Sequence, residues 1–154
     1  MKSITARDAI YSRESLSKDI TRMWGILYTE NVTEKNYKRN YDMKAIFKKV
    51  LDMSEKRVDA KLKIQLINMG YKKQSETPSS WLYPLIYQLS EKNELFVKLG
   101  TLPTLDPTGK LKTFKTEAIS RKYVSQLREK LQLEIVAIRK KLDDYNDKAV
   151  LILD

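Results

Sequence analysis

Between Met43 and Met69 apolar residues recur at spacings that alternate three and four. Met43, Ile46, Val50, Met53, Ala60, Ile64 and Ile67 share one stripe, and Arg57 interrupts it. That is the period of an α-helix, so the segment predicts a long amphipathic rod. A flanking row at Phe47, Leu51, Val58, Leu62 and Leu66 makes the face broader than a two-stranded seam. The rod must therefore meet more than one neighbour. At about 1.5 Å per residue it is about 40 Å long, which makes the molecule elongated. Asp42 stands where an N-cap belongs and Gly70 where a left-handed C-terminal cap belongs.

A second rod of similar length is predicted from about Thr116 to Asn146, where Val124, Leu127, Leu131, Ile135, Ile138, Leu142 and Tyr145 keep the same rhythm. The expected fold is mainly α: an elongated helical bundle built on two long antiparallel helices, forming a single domain over residues 1–154. A further helix should run from Thr5 to Tyr28, opened by a capping box between Thr5 and Asp8. Gly25 lowers helix propensity by about 1 kcal/mol relative to Ala, so the last turn is expected to fray or end early. Another helix should begin near Ser79 or Ser80, or at Pro84, and close at Gly100. Residues 29–42 read as a polar loop. Asp106-Pro107-Thr108-Gly109 matches a type I turn, which suggests a small β-hairpin near 102–114 with arms Leu102–Leu105 and Lys110–Phe114. The apolar run Ala149–Leu153 is expected to add a strand or to cover the bundle end.

The chain has no Cys and no His among 154 residues. Thiol nucleophiles, Cys/His zinc sites, imidazole bases and the triads built on them are thereby excluded. No P-loop, GxGxxG or HExxH pattern occurs, and Asp143, Asp144 and Asp147 lack the Gly-punctuated loop of a hard-cation site. The expectation is a protein that is not an enzyme and uses no metal or cofactor. The N-terminal residues, interrupted by Arg7, Asp8, Arg13 and Glu14, form no apolar run of signal-peptide length, and no apolar stretch is long enough to span a membrane. A cytoplasmic location with no membrane partner is expected.

Charge is the most informative property left. Residues 35–73 hold twelve Lys and Arg against four Asp and Glu, residues 110–141 hold ten against three, and the remainder is net acidic. Two basic blocks are the electrostatic footprint of a phosphate-backbone binder. Within them, Tyr37 and Tyr41 flank Lys38 and Arg39 beside Lys35, a pattern in which aromatics stack on unpaired bases while cations hold phosphates. Lys72, Lys73, Lys110, Lys112, Arg139, Lys140 and Lys141 form further clusters. The opposing account is that the tyrosines pack on the bundle end and the charges are merely solvated, as the pairs Asp52–Lys56 and Asp59–Lys63 suggest. Arg57 must find a partner or reach water, and Glu134, on a comparable face of the last helix, is a candidate. The sequence thus points to binding of nucleic acid or a ribonucleoprotein. The alternative is a structural or regulatory protein-interaction module, including an accessory or inhibitor protein from a mobile element. The breadth of the apolar faces also suggests a homodimer.

Overall fold

The computed structural model describes residues 2–110 and 114–154. Among these, four α-helices and two short strands follow in the order α1 (Ala6–Glu30), β1 (Val32–Glu34), α2 (Met43–Asn68), α3 (Tyr83–Thr101), β2 (Lys115–Glu117) and α4 (Arg121–Lys148), with a 3-10 turn at Gln74–Glu76. The chain is mainly α, with a small antiparallel sheet. Among the described residues no helix is long and apolar enough to cross a membrane.

Local chemistry sets the helix ends. Thr5 and Asp8 close the capping box at the start of α1, Asp42 accepts from the Ala45 amide, and Ser120 accepts from the Tyr123 amide. At the end of α2, Gly70 takes φ 83° while its amide donates to Ile67 O and that of Tyr71 to Leu66 O, a Schellman closure that favours glycine. Pro84 lies in the first turn of α3, where its missing N–H costs nothing.

Cross-helix contacts fix the topology. Trp24 meets Phe47 and Ser17 meets Arg57, so α1 and α2 are antiparallel. Arg57 bonds Glu94, Lys61 pairs with Glu91 and Tyr87 reaches Gln65, so α3 runs back along α2. Lys92 pairs with Glu134 and Arg128 covers Phe96, so α4 reverses again. The result is an up-down-up-down bundle whose largest helix interface joins α1 to α2. The antiparallel pair with the largest interface is therefore α1 and α2, while α4 packs chiefly on α3. α1 does not stop at Gly25 but continues to Glu30, so at 25 residues it nearly matches the 26 of α2; α4 is longer, at 28.

The main core gathers at the end where α1 finishes and α4 begins. Ile20, Met23, Trp24 and Leu27 of α1, Met43, Phe47 and Val50 of α2, Leu99 of α3, and Val124 and Leu131 of α4 pack there with Leu102 and Ile119. Asn31 organises this end and is fully buried. Its side chain donates to Pro103 O (2.7 Å) and Ile119 O (3.0 Å) and accepts from the Ile119 amide (2.7 Å), while its carbonyl accepts from the Ala118 amide (2.9 Å). These bonds draw the chain after α1 against the chain before α4. Val32, Thr33 and Glu34 accordingly stand opposite Glu117, Thr116 and Lys115.

Strand pairing thus differs from the expected local hairpin. Asp106–Gly109 forms its turn, with the Gly109 amide on Asp106 O at 3.0 Å. Leu102–Leu105, however, is irregular because Leu102 and Leu105 are drawn into the interior. Residues 111–113, in the second expected arm, lie outside the described residues. Pairing of Lys115–Glu117 also delays α4 from Thr116 to Arg121. Ala149–Leu153 neither adds a strand nor covers the bundle: it has no regular secondary structure and is exposed.

Arg57 is buried, and its partner is not Glu134. Its guanidinium donates to Glu91 Oε1 (2.5 Å) and Oε2 (2.6 Å), to Glu94, and to Ser17 Oγ (3.3 Å). Ser54 adds a bond to Glu91 Oε2 (2.8 Å), so one polar cluster links α1, α2 and α3. Burial pushes the Glu91 carboxyl up, but bonds from Arg57 and Ser54 and the charges of Arg57 and Lys61 outweigh it and hold the pKa below the ordinary value. Glu134 instead pairs with Lys92 at 2.7 Å.

Candidate nucleic-acid interface

The basic residues singled out in the sequence divide between the two ends of the bundle. Lys35, Tyr37, Lys38, Arg39, Tyr41 and Lys110 lie at the end where α2 begins and α4 follows. Lys72 and Lys73 follow the far end of α2, and Arg139, Lys140 and Lys141 lie on the distal part of α4. The 26-residue α2 separates Lys72 and Lys73 from the first group by about 39 Å, and Arg139 lies about 27 Å along α4 from its first residue. Lys112 lies outside the described residues.

The 35–41 loop is partly committed to structure. Arg39 is half-buried and donates from Nε to Glu30 O (2.8 Å) and from Nη2 to Asn31 O (3.0 Å) and Thr116 O (3.0 Å), so it closes the C-terminal end of α1 and fastens β2 to it. Tyr37 donates its hydroxyl to Glu30 Oε1 at 2.6 Å. That bond, slight burial and the Glu30 charge hold the phenol above its ordinary pKa, so it stays neutral. The Tyr37 and Tyr41 rings, both about half exposed, border an open cleft of about 690 Å³ with Arg22, Asn40 and Lys115. Glu30 and Glu34 also line this cleft, and carboxylates repel phosphate. Of the cations in this loop, Lys35 and Lys38 are exposed.

A second cleft, of about 550 Å³, opens between the first turns of α2 and the approach to α4. Lys44 and Lys48 stand one turn apart at its edge, and Phe47, Leu51, Ala118, Ile119, Ser120 and Tyr123 complete its lining. None of these carries a negative charge. Tyr123 is 47% exposed and meets buried Phe47 edge to face, with ring centroids 6.2 Å apart, which holds the tyrosine ring as a platform. Three amides in the first turn of α4 are already engaged: Glu117 takes that of Arg121 at 3.2 Å, Ser120 Oγ that of Tyr123 and Ser120 O that of Val124. Lys44 and Lys48 are the cations that line this cleft.

Sequence reasoning passed over Lys44, Lys48 and Tyr123. The available signal was the i,i+4 pair of lysines in the first turns of a helix opened by Asp42. Tyr123 carried none, because its proximity to Phe47 arises from residues far apart in the chain. Comparison with protein-family models, with curated proteins and with solved structures finds no match to this chain.

Proposed function

We propose that this chain is a non-enzymatic protein that binds single-stranded nucleic acid at the end of the bundle where α2 and α4 begin. The observation that carries the reading is the cleft in which Lys44 and Lys48 flank the exposed Tyr123 ring with no carboxylate in the lining. An unpaired base stacks on Tyr123, the lysines hold the adjoining phosphates, and Lys35, Lys38 and Lys110 extend the positive surface along the strand. An open cleft beside a half-exposed ring suits a single strand, whose bases are free to splay out, better than a duplex.

The test is fluorescence anisotropy with labelled oligo-dT and oligo-rU at several salt concentrations. Affinity should fall as salt rises, because neutralised phosphates release counterions. Lys44→Ala/Lys48→Ala should weaken binding and shallow the salt slope, while Tyr123→Ala should cost about 1–3 kcal/mol and leave the slope nearly unchanged. Lys72→Ala/Lys73→Ala should leave binding of a six-nucleotide probe unaltered. A flat salt response, or full affinity in the Lys44/Lys48 variant, would remove the proposal.

A further inference from the structure

The face of α4 that turns away from the bundle carries a second repeat. Residues 122, 126, 129, 133, 136, 140, 143 and 147 alternate spacings of four and three, and all are exposed. Val124, Leu131, Ile135 and Ile138 occupy the buried side of the same helix. At the middle of the outer stripe stand Leu133, 74% exposed, and Val136, 54% exposed. A three-four stripe is the geometry through which two helices pack lengthwise.

We infer that this stripe pairs with the same stripe of a second copy of the chain, antiparallel, about a twofold axis between Leu133 and Val136. In that register Leu133 faces Val136 of the second copy, Glu129 faces Lys140, Gln126 faces Asp143 and Lys122 faces Asp147. The charges select the arrangement. Parallel pairing in register sets Lys122, Glu129, Lys140, Asp143 and Asp147 each against its own like charge. An antiparallel shift of seven residues one way brings Lys140 onto Lys122, and the other way Glu129 onto Asp147. The unshifted antiparallel register alone joins opposite charges on both sides of the apolar centre. Glu129, Lys140, Lys122 and Asp147 have no ion-pair partner among the described residues, so the second copy meets no competing contact. The pairing does not depend on nucleic-acid binding.

Sedimentation equilibrium of nuclease-treated protein over a hundredfold concentration range reads the association. The weight-average mass should rise from 18.1 kDa toward twice that value. Glu129→Lys and Lys140→Glu should each weaken dimerisation at least tenfold, and the double variant should recover most of the loss, because it restores opposite charges with the signs exchanged. The substituted residues are exposed, and unchanged circular dichroism melts would establish that folding is intact. A mass that stays at 18.1 kDa throughout overturns the inference. So does a double variant no better than the single ones, or undiminished dimerisation in Leu133→Ser/Val136→Ser.

Discussion

Glu91 and Arg57 are the buried charges on which three helices converge. Each is under one-tenth exposed, and a charge so buried needs a partner to offset its lost hydration. Removing one partner of such a pair costs about 3–5 kcal/mol, because the other is left charged and unpaired. The depressed Glu91 pKa makes the pair sensitive to acid. Its contribution is complete above the ordinary glutamate value of 4.5 and is lost as pH falls through the lower folded value. Urea unfolding from pH 7 to pH 3 should therefore show stability declining below about pH 4.5, and Glu91→Gln, already less stable at pH 7, should show a shallower decline. Parallel curves for the two proteins would mean that Glu91 titrates alike in the folded and unfolded chains. Arg57 was visible in the sequence as a break in an apolar stripe. Its partner was not, because helical periodicity says which face a charge occupies and nothing about what stands opposite.

At the scale of the element, α1 shows propensity giving way to packing. Gly25 disfavours helix, yet α1 continues past it, because Leu27 is fully buried beyond it and Asn31 and Arg39 close its end. The glycine itself touches nothing: a Cβ there would meet no atom within 4 Å. Gly25→Ala should therefore raise stability by about 0.5–1 kcal/mol, since it removes an entropic cost without a clash. Gly70→Ala, equally free of contacts but at φ +83°, should lower stability by about 1–2 kcal/mol. Thermal melts of the two variants should move in opposite directions. Capping was legible residue by residue, since Thr5, Asp42 and Gly70 sit where the sequence pattern places them. The strands were not legible. Three-residue segments carry too little periodicity to announce themselves, and what pairs them is Asn31, which reads in the sequence as one asparagine of a polar loop.

Across the whole molecule, burial is uneven along the bundle. Leu131 is 4% exposed and belongs to the main core, whereas Ile64, on the most regular stripe of the sequence, is only partly buried. Leu131→Asp should unfold the chain, because it puts a carboxylate in the main core at a position only 4% exposed, and Ile64→Asp should be destabilising but tolerated. Equal loss of the folded signal in both, followed by circular dichroism during urea titration, would show that the core extends evenly to the far end. The sequence by itself determined what depends on neighbours along the chain: the helices, the caps at Thr5, Asp42 and Gly70, the side of each helix that is apolar, and the concentration of positive charge in two blocks. The tertiary structure decided what depends on residues distant in the chain. It paired α1 with α2, gave Arg57 to Glu91, joined β1 to β2 through Asn31, and brought Lys44 and Lys48 to the same cleft as Tyr123. A repeat of 3.6 residues fixes the direction a side chain faces. Which neighbour fills that direction is settled only when the whole core is packed.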